Sequence, residues 1–568
     1  MPREMSSVGR SSLRDICLAI LAQTAERFLD CQWSDGRFAS VPEHETDEWN
    51  FFDQQYVLPA ALLYVTDHPA SPWRTRSGLW EAILRNGRHI ASRVGEDGSM
   101  RWRLGGVALP GSFVCQRLTC AFLLAYQMLK RVLPEEEEER WRATILRACD
   151  WLFEHKVAPF RSVERFTSHH VQTGTNHFSL YLSLLWLAGT EFGRPDWVEL
   201  ASDLMPRLIA DQRPGGYWEE HHGPALGYNY LTYHGVEQYH AWSGHRAALP
   251  ALRVGMDLHR HWTYPDGIPI ECIDGRMRHL GQPMLWGLSG FSHWTEGRGY
   301  ARLLLERAAA DADRLSGESL ARIAEAYLGL RHGDEVAAPQ QTPRYCATLD
   351  GVSAVRKEGP WVVALSGQCS SPWPENQFCL DRQALLSVWH ERAGLVLDGS
   401  NSKFQPELAT FCQGTGKEAD HLPLEAALLS RDGDEEVLEA HYRGFVATVR
   451  VRVPGADQVE LGFRATAGSG VPVTLTLVPN VSLGETFTLA SGTPVNLTEE
   501  AFALSPAQHQ GSISFRNLTV RLPEGCSIEY PVSPFNSYSS DNTSAPSANR
   551  LVVRCPVGPE WVIVRLTL

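Results

Sequence analysis

Over the first 335 residues, apolar side chains recur at spacings of three and four between short polar stretches. Segments such as "SLRDICLAILAQTAERFLDC", "TCAFLLAYQMLKRVL", "WRATILRACDWLFEHK", "HFSLYLSLLWLAGTEF", "WVELASDLMPRLIADQ" and "RIAEAYLGLRHG" therefore predict helices with one apolar face. Between them an Asp-Gly or Gly-Gly pair returns beside aromatic residues, at Asp35-Gly36, Asp97-Gly98, Gly215-Gly216 and Asp266-Gly267. Helices paired around a recurring turn predict an incomplete (α/α) toroid, although Asp-Gly is also a common turn former in any fold.

From about Gln341 the period changes. Short alternating runs, among them "WVVALSG", "ALLSVWH", "FVATVRVRV", "VTLTLVP", "LVVRC" and "WVIVRLTL", are separated by Gly, Pro, Asn and Asp. This predicts an antiparallel β-sandwich. The expected architecture is α+β and multidomain: a toroid over 1–335, a linker over 336–345, and a β-sandwich over 346–568 that contributes to the cleft. A length of 568 residues suits two or three domains.

Charge and composition narrow the function. The net charge is −14 and no basic block occurs, which argues against a nucleic-acid partner. The N-terminal run "ICLAILA" is too short for a signal peptide or a membrane span. That predicts a cytoplasmic chain with no membrane partner, or a periplasmic one if an export signal has been removed. None of the twelve cysteines forms a C-x-x-C pair, so buried reduced thiols are the default expectation.

Histidine is concentrated, with thirteen of 21 lying between His155 and His293. Asn176 and His177 open one predicted helix. Downstream, "GGYWEEHHGPALGYNYLTYHGVEQYHAWSGH" holds Trp218, Glu219, Glu220, His221, His222, Tyr228, Tyr230, Tyr233, His234, Tyr239 and His240. On a helix Tyr230, Tyr233 and His234 share a face, and a buried tyrosine needs a partner for its hydroxyl. A satisfied hydrogen-bond network is the bland explanation for any one of these tyrosines; the cluster with Asn176 and His177 points to a site.

These residue types suit β-elimination at a uronic acid. Donors on the carboxylate stabilise the charge that develops as C5 loses its proton. A Tyr or His removes that proton, and a Tyr protonates the departing glycosidic oxygen. Neither metal nor cofactor is needed, and "SHH", "EEHH" and "HRH" lack the H-E-x-x-H spacing of a helical zinc site.

On these motifs the chain resembles the heparinase II/III-like polysaccharide lyases, which join an α/α toroid to an antiparallel β-sandwich. The resemblance implies Asn176 and His177 on the substrate carboxylate. It implies Tyr233, 56 residues after His177, as acid and base, with Tyr228 as an alternative. It also implies His390, in "QALLSVWHERAGLVLDGSNSK", as base or orienting group. The Gly that often follows the Asn-His pair in that family is replaced by Phe178-Ser179. Tyr228, Tyr230, His234, Glu220, Trp218 and Arg298 are candidate substrate-binding residues, and the implied partner is an acidic poly- or oligosaccharide. Two other readings stay open at this level. A glycoside hydrolase would need a carboxylate pair, with Asp97, Glu219, Glu220, Asp266 and Glu296 as candidates. A uronate C5-epimerase would share the proton abstraction. The sugar and the oligomeric state are not legible.

Overall fold

The computed structural model describes residues 11–41, 50–100, 102–104, 107–109, 115–220, 222–430, 435–468 and 470–568. His221 and the side chain of Cys115 lie outside this description. The chain divides into two compact units. The helical unit comprises the chain through Gln212, Tyr230–Asp257 and Gln282–Ala338. The sheet-bearing unit comprises Arg213–Asn229, Leu258–Gly281 and Pro339–Leu568.

In the helical unit the first long helix, α1 (Leu13–Asp30), starts at Ser12 with a capping box. The Ser12 side chain accepts from the Asp15 amide, and the Asp15 carboxylate accepts from the Ser12 amide. It packs against α2 (Thr295–Ala310) and α3 (Gly317–Gly329), so the two ends of the unit's sequence meet. Arg14, Arg27 and Arg302 fasten this seam by donating to the carbonyls of Leu330, Leu315 and Ser11. The helix Thr175–Phe192 is buried on nearly every side over its first three turns, as expected of an interior helix that is apolar all round. It packs against Cys115–Leu129, Glu135–Leu152 and Pro195–Ala210.

The recurring turn is one structural device used four times, twice in each unit. Each copy follows a long helix. In each, the amide of the fourth residue bonds the carbonyl of the first, and the first amide bonds the carbonyl of the fifth. The first and fifth residues are Trp33 and Arg37, Gly95 and Ser99, Arg213 and Tyr217, and Tyr264 and Ile268. The fourth is always Gly, at φ values of +90°, +82°, +91° and +88° for Gly36, Gly98, Gly216 and Gly267. In the three Asp-Gly copies the Asp carboxylate accepts from the backbone two residues on, at 3.1 Å.

Among the described residues the sheet-bearing unit holds a nine-stranded and two five-stranded sheets, all of them antiparallel. One five-stranded sheet is a simple meander: Arg344–Leu349, Ser353–Glu358, Trp361–Ser366, Leu386–His390 and Gly394–Leu397. Its inner strands are buried on both faces. Trp361, Val363, Leu365 and Val388 join the main core with Val451, Leu461, Phe463 and Leu475. Val362, Ala364 and Trp389 join a second core with Tyr217, Leu226, Trp262, Tyr264 and Ile270.

That second core explains a departure from the expected boundaries. The change of unit at Ala338–Pro339 falls inside 336–345, but two excursions from the helical part of the sequence also group with the sheets. Tyr217 donates to Asp350 at 2.7 Å, the Trp389 indole to Asp266 at 2.8 Å, and Tyr264 shares a hydrogen bond with Ser387 at 2.8 Å. The expected linker is itself anchored: Gln340 is buried and donates to the carbonyls of Arg260 and Thr263, each at 2.7 Å.

The reduced-thiol expectation needs one correction: Cys526 and Cys555 form a disulfide. Cys526 immediately precedes the strand Ser527–Val532 and Cys555 lies within its partner Arg550–Val557, and the register that sets Ser527 opposite Arg554 brings the two sulfurs together. Spacing alone could not reveal a pair 29 residues apart. Among the described residues no helix is long and apolar enough to cross a membrane.

Gly98 combines a left-handed backbone with close approach: an added Cβ would overlap the Arg147 carbonyl, whereas one at Gly193, at φ +69°, would meet open space. Gly193→Ala is expected to cost about 1 kcal/mol from backbone strain alone, and Gly98→Ala about 2–4 kcal/mol. Urea denaturation of both variants checks this; equal losses would mean that the carbonyl contact contributes nothing.

Candidate active site

The residues singled out above fall into two groups, one in each unit. The helix Leu226–Ser243 carries members of both: its first turn, with Tyr228, groups with the sheets, and Tyr230, Tyr233 and His234 belong to the helical unit.

In the sheet-bearing unit, the start of that helix is held by Asp274. Its carboxylate accepts from the amides of Gly227, Arg276 and Met277, at 2.9, 2.7 and 2.8 Å. Gly227 is required for this approach, because a Cβ there would overlap the Met277 sulfur. The result brings Arg276 over the Tyr228 ring, with its guanidinium carbon 4.3 Å from the ring centroid. Arg276 also donates to Glu220 at 3.0 Å and lies 5.6 Å from the Phe378 centroid. The Tyr228 hydroxyl hydrogen-bonds that of Tyr538. Burial opposes the charge on Arg276, but the Tyr228 and Tyr538 phenols and the Glu220 carboxylate more than offset it and hold its pKa above the ordinary range. Tyr228 is half-buried, whereas Glu220 and Trp218 are buried.

One buried cation organises this group. Arg382 donates from Nε to the His222 carbonyl at 3.0 Å, from Nη1 to Ile273 at 2.8 Å and from Nη2 to Pro224 at 2.6 Å. Its fork thus ties both excursions, 213–229 and 258–281, to the loop before the strand Leu386–His390.

In the helical unit, Asn176 and His177 lie in the first turn of Thr175–Phe192. The Gln116 side-chain amide hydrogen-bonds His177 Nδ1 at 2.7 Å. Asn176 is wholly buried, and neither its amide nitrogen nor its oxygen has a hydrogen-bond partner among the described residues. Such an orphan is uncommon in a folded core and calls for an explanation.

Other candidates are held by the fold. Tyr233 is wholly buried, its ring 4.8 Å from that of Phe291 and packed against Gly287 and Gly290, and burial raises its pKa well above 10. Tyr230 hydrogen-bonds the Tyr300 hydroxyl. His234 lies 3.0 Å from Glu325 and accepts from the Gly287 amide; burial lowers its pKa. Arg298 donates to the carbonyls of Asp334 and Ser292, at 2.7 and 2.8 Å. His390 is buried against Trp361, with ring centroids 4.4 Å apart, accepts from the Arg392 amide, and has its pKa lowered by burial.

The carboxylates of the hydrolase reading are engaged singly. Glu220 pairs with Arg276, Glu219 with Arg213, Glu296 with Arg253, Asp266 with the Trp389 indole, and Asp97 with Ser99 in its own turn. Hydrogen bonds from Arg253 pull Glu296 down to about 2, the opposite of what a general acid requires.

Sequence reasoning missed Arg276, Tyr538, Arg382 and Gln116. Arg276 follows an Asp-Gly turn at Asp274-Gly275, a weak signal; Tyr538 lies 310 residues beyond Tyr228 and carried none.

The fold is that of toroid-plus-sandwich polysaccharide lyases. The crystal structure of heparinase III aligns over 99% of this chain and 86% of its own, at 10% identity and a TM-score of 0.55. The Streptomyces coelicolor A3 chondroitin AC lyase, solved in complex with chondroitin sulphate, aligns over 98% and 82%, at 13% identity and a TM-score of 0.51. No family model and no curated protein matches the sequence.

Two predictions follow from the geometry above. Arg382→Met would strand three buried carbonyls and is expected to cost about 3–5 kcal/mol, read as a lowered urea midpoint; a loss under 1 kcal/mol would deny the guanidinium its organising role. Burial also lifts Glu237, on the helix Leu226–Ser243, from an ordinary 4.5 to about 7. Folding therefore favours its protonated form: this stability is full below about 4.5 and is lost as pH rises through 7. Glu237→Gln should flatten that decline, gaining on the order of 2–4 kcal/mol at pH 8 relative to pH 4. Parallel stability–pH curves for the two proteins would contradict it.

Proposed function

We propose that this protein is a lyase that cleaves a uronic-acid-containing glycan by β-elimination, with Tyr228 as the group that moves the proton. The observation that carries this reading is the Tyr228–Arg276–Tyr538 cluster, set in a fold shared with heparinase III and chondroitin AC lyase. A phenol is a poor base at neutral pH. A permanent cation 4.3 Å from its ring and a second hydroxyl on its oxygen both favour the phenolate. Glu220 keeps the guanidinium oriented.

In the reaction the Tyr228 oxygen takes the proton from C5. The electrons of that bond form the C4–C5 double bond as the C4–oxygen bond breaks. The leaving oxygen then takes the proton from Tyr228, which returns the side chain to its starting state. The role that spacing gave to Tyr233 passes to Tyr228, because Tyr233 is wholly buried against Phe291 and burial raises its pKa well above the ordinary value. His390, packed on Trp361, is given no proton. The substrate is an acidic poly- or oligosaccharide.

Ultraviolet absorbance over a panel of heparosan, chondroitin and alginate tests this, since elimination creates a double bond conjugated to the carboxylate. Tyr228→Phe is expected to lower kcat by about 100-fold or more. Tyr233→Phe should stay within a few-fold of the parent. Full activity in Tyr228→Phe would sink the assignment; new reducing ends without absorbance would sink the lyase.

A further inference from the structure

A groove of about 1170 Å³ runs along the sheet-bearing unit. Its lining includes Cys369, Phe404, Lys417, His421 and Arg443, and it shares no residue with the Tyr228–Arg276 cluster. It exceeds the roughly 300–1,000 Å³ that houses a single small ligand, which suits a stretch of chain.

Phe404 is its distinctive feature. The ring is 55% exposed, so it adds little to any core. Its backbone sits at φ +57°, a left-handed conformation that a bulky residue rarely adopts unless its surroundings impose it. Here they do. The Phe404 amide donates to Asp381 at 2.7 Å, and the preceding Lys403 is wholly buried. The Lys403 ammonium donates to the carbonyls of Trp373 and Cys379, at 3.0 and 2.8 Å. A buried cation and a buried carboxylate thus hold an aromatic face out toward solvent.

The flanking charges suggest the occupant. Lys417 is exposed, and Arg443 is 70% exposed, 3.6 Å from Asp420. Glu407 also lines the groove, but Asp381 is already taken by the Phe404 amide and lies 3.9 Å from Lys403. A flat apolar face between spaced cations fits a pyranose ring with carboxylate or sulfate groups on its neighbours. The loop that lines one side, Cys369–Pro372, runs directly into Trp373, whose ring lies 5.7 Å from that of His222.

We infer that this groove is a second binding site for the acidic glycan, holding part of the chain remote from the bond being cleaved, with Phe404 as its stacking platform and Arg443 and Lys417 as its anion contacts. This rests on the reading of the chain as acting on such a glycan. The consequence is length dependence: long oligosaccharides engage the groove and a disaccharide does not.

The test is calorimetric titration of full-length Tyr228→Phe with saturated uronate oligosaccharides, from disaccharide to decasaccharide, drawn from heparosan, chondroitin and alginate. Added Phe404→Ala or Arg443→Gln should each weaken decasaccharide binding by about tenfold and leave disaccharide binding unchanged, and Phe404→Trp should retain it. In the otherwise unaltered enzyme, Phe404→Ala should raise KM for polymer at constant kcat. Decasaccharide affinity indifferent to both substitutions would overturn the proposal, as would binding of an acidic peptide such as polyglutamate with no glycan binding. The two readings fail separately. Phe404-dependent glycan binding by a protein that cleaves nothing would support the groove and sink the lyase. Cleavage with no effect of Phe404 or Arg443 would do the reverse.

Discussion

A buried guanidinium holds the candidate active site together. Arg382 has lost nearly all contact with water, and burial pulls its pKa down. It stays charged because the fork finds three carbonyl oxygens, from His222, Pro224 and Ile273. Those carbonyls belong to two excursions that leave the helical part of the sequence and return. Once both are fixed to one side chain, Tyr228 on the first meets Arg276 on the second. Asp274 refines the arrangement through three amides, and Gly227 and Gly275 leave room for Met277 and Arg382.

The contrast between Tyr228 and Tyr233 shows how electrostatics separates residues that composition treats alike. They sit five positions apart on one helix. Tyr233 is buried against Phe291 and two glycines, and burial together with Glu237 and Asp257 outweighs the pull of Arg253 toward its phenolate. Tyr228 lies under a cation and shares its oxygen's hydrogen bond with Tyr538. A cation over the ring lowers the cost of charging a phenol, and full burial raises it.

The polar density that suggested a site in the helical unit has a mixed origin. Tyr230 hydrogen-bonds Tyr300, and His234 lies 3.0 Å from Glu325. Burial opposes the charge on Glu325, but Arg322 and His234 hold it ionised all the same. Such buried networks fix helix positions. Asn176 differs, since its amide satisfies nothing around it among the described residues. The disulfide between Cys526 and Cys555 adds a chemical constraint of another kind, one found mainly in oxidising compartments.

Much of the architecture is local and was therefore legible. Helices declare themselves by apolar spacing and strands by alternation, because each must present one face to a core. The repeated Asp-Gly turn was readable for the same reason: its hydrogen bonds close within five residues and its glycine must be left-handed. The residue types of the proposed chemistry could be read, with Asn176, His177, Tyr233 and His390 as the expected set and Tyr228 as the alternative to Tyr233. Which tyrosine meets a cation was not legible, because Arg276 and Tyr538 reach Tyr228 across 48 and 310 residues of chain. Nor was the grouping of 213–229 and 258–281 with the sheets. A sequence encodes the periodicity of each element. Proximity between distant segments, and with it the dielectric and charge around each titratable group, exists only once the cores and the Arg382 fork have closed.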